Sequence, residues 1–266
     1  MSITQVEPKT FFKRERLLLN LQAPLARIVL CNPPLNVIDI AMMDELASTL
    51  DELSSRSDVA ILVLSGAGTS FSAGVDVAAH TPDRVQSMLE KFHAIIRRLI
   101  ATPKITIAAV HGNCLGGGAE LAMVCDLVYT TGEARWGFPE IQLGCFPPVA
   151  ATALSALIGQ KCASDLILTG RTVSGSEAAT MGLANEAVLP DKLDSTVEQV
   201  VKSLSALSPA ALAITKKANY AWDSMHFDKG LMRSEKIYLD ELMKTEDAQE
   251  GIQAFVEKRK PDWKGR

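Results

Sequence analysis

Apolar positions alternate along this chain between two rhythms. Arg16 to Leu21 and Ala26 to Cys31 are short apolar runs separated by Gln22-Ala23-Pro24, so they predict an opening hairpin. Asn32-Pro33-Pro34 breaks the second run. From about Ile40 to Leu53 the spacing becomes helical, with Met42, Met43, Leu46, Ala47, Leu50 and Leu53 on one face. Val59 to Leu64 and Ile105 to Val110 are apolar throughout, the pattern of strands buried on both faces. Between them Val85, Met88, Leu89, Phe92, Ile95, Ile96 and Leu99 form a helical stripe, with His93 packed beside it. Thr81 and Pro82 are its expected cap and first helical position, and Pro103 marks its end.

Ala119 to Cys125 predicts the first turns of a buried helix, and Val149 to Ile158 and Ala163 to Leu168 two more. Ser174 and Glu177 match a capping box for a helix ending near Gly182. From Asp191 onward the pattern is helical almost throughout, with weak breaks near Ser208-Pro209 and around Phe227 to Gly230. Strand and helix alternate, which predicts an α/β fold with crossover connections. The expected division is a core of residues 1–200 and a helical C-terminal region of residues 201–266.

Composition narrows the function classes. The chain has 266 residues, 47% of them hydrophobic, enough for one large core. A formal charge of −4 and the lack of a long basic run argue against nucleic acid as a partner. No apolar run approaches the ~18 residues of a membrane span, and the N-terminal MSITQVEPKTFFKRER has no leader-like apolar core. Five cysteines without paired spacing suggest reduced thiols in a cytoplasmic protein, and four scattered histidines form no metal-ligand pattern.

Candidate chemistry concentrates between Val110 and Pro148. Gly116, Gly117 and Gly118 precede a predicted helix that carries Glu120, and Glu140 follows Pro139 twenty positions later. Glycines at a helix start let backbone N–H groups approach a ligand, and the helix start favours negative charge there. Two acids beside such a site can move protons. The triplet alone also fits a tight turn with close helix packing, and Glu120 alone fits a dipole-stabilising residue. Upstream, Phe71-Ser72-Ala73-Gly74-Val75-Asp76 supplies a second sharp turn, at which Val75 would present its N–H rather than its side chain.

These segments, in this order, resemble the crotonase, or enoyl-CoA hydratase/isomerase, superfamily over nearly the whole chain. Also matching are Asn32-Pro33, Pro103-Lys104, Leu115 to Ala122, Trp136-Gly137-Phe138-Pro139-Glu140, Leu168-Thr169-Gly170, Gly182-Leu183 and Phe255 to Pro261. The resemblance implies a spiral of ββα units with a helical C-terminal region that forms trimers, often paired as hexamers. It implies an acyl-CoA thioester as substrate, with coenzyme A entering as part of it and no separate cofactor or metal. The backbone N–H groups of Val75 and Gly117 would form an oxyanion hole, and Glu120 and Glu140 would be the catalytic acids of a hydratase. Ala73, Gly74, Asp76, Gly116, Pro148, Phe255 and Lys258 would bind coenzyme A or the acyl group, the last two commonly across a subunit boundary.

One stretch departs from the family pattern. Hydratases commonly have Pro-Gly-x-Gly-Gly-Thr after the second acid, whereas here Pro147-Pro148-Val149-Ala150-Ala151-Thr152 stands. Pro148 has no N–H to donate, so a reshaped acyl pocket and a lost backbone donor are expected. The segment from Phe71 through Ala79-His80-Thr81-Pro82-Asp83 is similar to the cyclohexa-1,5-diene-1-carbonyl-CoA hydratases of anaerobic aromatic degradation. An ordinary enoyl-CoA hydratase or isomerase, and a non-catalytic acyl-CoA-binding protein, are the alternatives.

Overall fold

The computed structural model describes residues 12–220 and 223–265. Most of the N-terminal stretch in which no leader-like core was expected lies outside them. A seven-stranded sheet runs in the order β1 (Phe12–Lys13), β2 (Leu17–Gln22), β3 (Leu25–Leu30), β4 (Ile61–Gly66), β5 (Ile105–Val110), β7 (Leu127–Thr131) and β10 (Glu186–Val188). The opening hairpin β2–β3 is antiparallel, and every pairing from β3 to β10 is parallel. A second sheet joins β6 (Asn113–Leu115), β8 (Arg135–Gly137) and β9 (Thr172–Ser174). The chain therefore passes repeatedly from the large sheet through the small one into a helix, which winds it as a spiral. β5 is buried at all six residues, as a strand covered on both faces must be.

The helices are α1 (Ile40–Ser55), α2 (Val85–Ala101), α3 (Gly117–Met123), α4 (Pro148–Ile158), α5 (Gln160–Thr169) and α6 (Gly175–Met181), followed by α7 (Leu193–Ser205), α8 (Pro209–Tyr220), α9 (Asp223–Asp240) and α10 (Glu246–Val256). All seven apolar stripe residues of α2 are buried. Each contributes roughly 1.5–3 kcal/mol by leaving water, and together they fix α2 over the sheet. The capping box at α6 forms with both reciprocal hydrogen bonds, and Gly182 closes the helix in the left-handed conformation.

Boundaries near residues 82 and 227–230 differ from the sequence expectation. α2 begins at Val85 rather than Pro82, because the Thr81 carbonyl accepts from the N–H groups of both Arg84 and Val85 and makes a separate turn. The expected break at Phe227 to Gly230 is continuous helix within α9. Gly230 serves packing there: a Cβ on it would come within 2.7 Å of Thr152 Cγ2 on α4. The two helices are also joined between Thr152 Oγ1 and Ser234 Oγ at 3.0 Å. Among the described residues no helix is long and apolar enough to cross a membrane.

Candidate active site

A cavity of about 410 Å³ opens where the spiral meets the C-terminal helices. One wall is the backbone of Ala73, Gly74 and Val75. Gly74 has φ +106°, a conformation that L side chains rarely adopt, so the chain turns sharply before Val75. Short bridges hold this turn, from Ser72 to Cys114 and from Ile38 to Val75. Gly116 follows β6 at φ +51° and caps α3, so Gly117 and Gly118 lie in the first turn of that helix rather than before it.

The two turns bring two backbone donors together. A Cβ built on Gly117 would stand 3.4 Å from the Val75 nitrogen and 2.6 Å from Val75 Cγ2. Among the described residues, neither the Val75 nor the Gly117 N–H donates a hydrogen bond; the latter is one of the free donors that every helix start leaves. Two such donors can hold an oxygen that gains negative charge.

Glu120 and Glu140 both line the same cavity. Glu120 projects from α3 and is nearly sealed, and its Oε1 accepts from the N–H groups of Val149 and Ala150, each at 2.9 Å. Pro148 is the first residue of α4, so the backbone donors that reach Glu120 come from the next two positions. Glu140 sits in a 3₁₀ turn, Pro139–Leu143, which Gly144 closes at φ +68°. Its carbonyl accepts from Cys145 at 3.0 Å, and a Cβ on Gly116 would come within 2.5 Å of Glu140 Oε1. Glycine at 116 thus leaves room for the second carboxyl. Glu140 Oε2 is buried and, among the described residues, makes no hydrogen bond.

The two acids are not equivalent. Burial pushes Glu120 up to about 7, against the two N–H bonds that favour its ionised form. Burial and then the nearby charge of Glu120 push Glu140 up to about 8. The pair titrates as a unit, and the two N–H bonds that Glu120 accepts favour ionisation there over Glu140, whose Oε2 has no donor among the described residues. A carboxylate beside a carboxylic acid can take one proton and give another within a single cavity.

The other expected site residues are distributed around this centre. Ala73, Gly74, Gly116, Pro148 and Phe255 are in the cavity wall. The Asp76 carboxylate caps the 3₁₀ turn Val77–His80 by accepting from the Ala78 N–H at 3.1 Å. Lys258 is exposed beyond α10, at φ +55°, outside the wall of this single chain. Arg259 is in the wall, tied to Glu250 and Glu257.

The cavity wall also carries groups the pattern did not single out for the site. His93 and Phe92 reach it from α2, Tyr238 from α9, and Cys145 and Phe146 from the loop before α4. His93 breaks an apolar stripe, which is a weak signal. Nothing local marks Tyr238, because its place depends on how α9 folds back over α2 and α4.

The sequence from residue 20 to 266 matches the family described as enoyl-CoA hydratase/isomerase. The chain is 33% identical over 242 residues to the cyclohexa-1,5-dienecarbonyl-CoA hydratase of Thauera aromatica, covering 91% of this chain and 93% of that protein. It is 36% identical over 250 residues to a probable enoyl-CoA hydratase of Bacillus subtilis, covering 91% and 95%. Its fold superposes on the crystal structure of an enoyl-CoA hydratase/isomerase from Xanthobacter autotrophicus with a TM-score of 0.83 at 29% identity, over 93% of this chain and 98% of that one.

Proposed function

The chain belongs to the enoyl-CoA hydratase/isomerase family, and from that premise we propose that Glu120 and Glu140 add water across the double bond of an unsaturated acyl-CoA thioester. The observation that carries this reading is the unequal pair of buried carboxyls on one cavity, beside two undonated backbone N–H groups.

In the proposed mechanism the thioester oxygen sits between the N–H groups of Val75 and Gly117. Ionised Glu120 takes a proton from water, whose oxygen bonds to the β-carbon. The α,β π electrons shift toward the thioester, whose enolate character the two donors stabilise. Protonated Glu140 gives its proton to the α-carbon. The pair ends with the proton on Glu120, and transfer through solvent or product returns it to Glu140. Losing one backbone donor of this kind typically costs ~10²–10³ in rate.

Within the class we propose a cyclic dienoyl thioester, cyclohexa-1,5-diene-1-carbonyl-CoA, as substrate. The likeness to the Thauera enzyme supports it, and Pro148 in the cavity wall is compatible with a ring-shaped acyl group. An ordinary 2-enoyl-CoA hydratase or enoyl-CoA isomerase is the second reading, and the 36% identity to the probable enoyl-CoA hydratase of Bacillus supports the former. Phe255 and Lys258 are proposed to meet the nucleotide of coenzyme A, Lys258 from a neighbouring subunit of a trimer or a pair of trimers. The site of action in this reading is the cytoplasm.

Turnover of purified protein with a panel of linear and cyclic enoyl-CoA thioesters tests the reading. A higher kcat/KM for the cyclic diene than for crotonyl-CoA is expected. The reverse order gives the site to linear substrates, and no hydration of any of them removes the hydratase assignment.

A further inference from the structure

His93 is fully buried, and its Nδ1 lies 2.7 Å from Glu235 Oε1 on α9. The same oxygen accepts from Arg97 Nη2 at 3.0 Å. The hydrogen bond from His93 and the pairing with Arg97 hold Glu235 below the usual carboxylate range, against partial desolvation. An ionised carboxylate only accepts, so Nδ1 carries the hydrogen and Nε2 is the nitrogen turned to the cavity. That Nε2 is buried and makes no hydrogen bond among the described residues.

Tyr238 stands one helical turn after Glu235 on α9 and is 1% exposed. Its Oη is likewise buried without a hydrogen bond among the described residues. Cys145 lies beside it, and a thiol is a weak partner. Both rings line the cavity that holds Glu120 and Glu140. Buried polar groups are satisfied in the great majority of cases, so two unsatisfied ones on one ligand cavity point to the ligand.

We propose that His93 Nε2 and Tyr238 Oη form a subsite for a neutral hydroxyl group carried on the acyl portion of the substrate. The proposal rests on the reading of the cavity as an acyl-CoA site and not on the cyclic diene, which carries no hydroxyl and which a hydroxylated acyl group would replace as substrate. A hydroxyl matches both groups, because it can donate to one and accept from the other in either sense. Neighbouring Phe92, Phe146 and Met88 suit hydrocarbon around it. A carboxylate in its place would join Glu120 and Glu140, and Arg97, which is paired with Glu235 and Asp228, is committed elsewhere. Tyr238 feels the charges of Glu140 and Glu120. Both rings and both acids line one cavity, so the hydroxyl belongs on the same acyl group as the reacting double bond.

The test uses saturated, unreactive acyl-CoA thioesters of increasing chain length, each with and without a terminal hydroxyl, titrated calorimetrically into the full-length protein. At one chain length the hydroxylated thioester should bind roughly tenfold tighter than its parent, and Tyr238→Phe should bring that ratio close to one. Parents that bind as well as their hydroxylated counterparts at every length overturn the subsite, as does a preference that survives Tyr238→Phe. The wild-type ratio decides the matter even if the variant does not fold. Hydration of the parent enoyl thioesters is measured alongside. Turnover without hydroxyl preference rejects the subsite alone, whereas preference without turnover rejects the hydratase reading alone.

Discussion

Two sets of polar groups line the cavity: one is held by backbone, the other by side chains from distant helices. Glu120 takes two N–H groups at the start of α4, and Glu140 rides on a turn closed by Gly144. His93 is oriented by Glu235, 142 positions away, and Tyr238 enters on the same helix. Backbone-built geometry depends on glycines and short turns and tolerates change in the surrounding side chains. Geometry built from docked helices can be altered by a single substitution. The first kind suits chemistry shared by a family, and the second suits selection among acyl groups.

The largest expected effect breaks the backbone-built set. Glu120→Gln and Glu140→Gln should each lower kcat by ~10²–10⁴ while acyl-CoA still binds, since general acid–base groups contribute at that scale. Steady-state kinetics together with a binding titration separate the two effects, and near-normal turnover in either variant removes that residue from the mechanism. Next comes Gly117→Ala, whose added carbon would press on Val75 Cγ2 and crowd the space between the two donors. A loss of ~10²–10³ in kcat is expected, whereas Val75→Ala, which keeps its N–H, should be mild. Equal damage from the two would contradict a backbone role at Val75.

A smaller effect is read in stability. The Glu140 carboxyl has its folded-state pKa raised above its ordinary value, to about 8. Its protonated form is favoured by folding, so that contribution is present below about 4.5 and is lost as pH rises through about 8. Glu140→Gln should therefore raise the melting temperature above pH 8 by several degrees, and by less near pH 5. An equal shift at both pH values would show that Glu140 is not strained by ionisation. The smallest effect is at the rim. Lys258→Ala should raise KM for acyl-CoA a few-fold, by less at high salt, and leave kcat nearly unchanged. An equal loss on a pantetheine thioester without the nucleotide would assign the tail to folding or assembly.

The same contrast explains how much the sequence disclosed. β5, the α2 stripe and the α6 capping box were legible because period, apolar run and cap are local signals. Val75, Gly117, Glu120 and Glu140 lie in three short segments, and it was the family resemblance that joined them into one expected site; the structure places all four on one cavity. The start of α2 was not legible, because the Thr81 carbonyl makes its own turn before the helix. Gly230 looked like a break, yet it is where α9 comes close to α4. His93 was legible only as a packed residue, for Glu235 and the cavity reach it through tertiary docking alone. Tyr238 left no local trace at all.

Glu120 and Glu140 are proposed to work as one coupled acid–base pair, and the pH dependence of kcat for the preferred enoyl-CoA measures that directly. A narrow bell is predicted, rising as Glu120 ionises near 7 and falling as Glu140 ionises near 8. In Glu120→Gln the residual activity should lose the lower limb, and the upper limb should move to lower pH because the charge that raised Glu140 is gone. A profile that stays flat from well below 7 to well above 8, or limbs that Glu120→Gln leaves in place, would contradict the pairing.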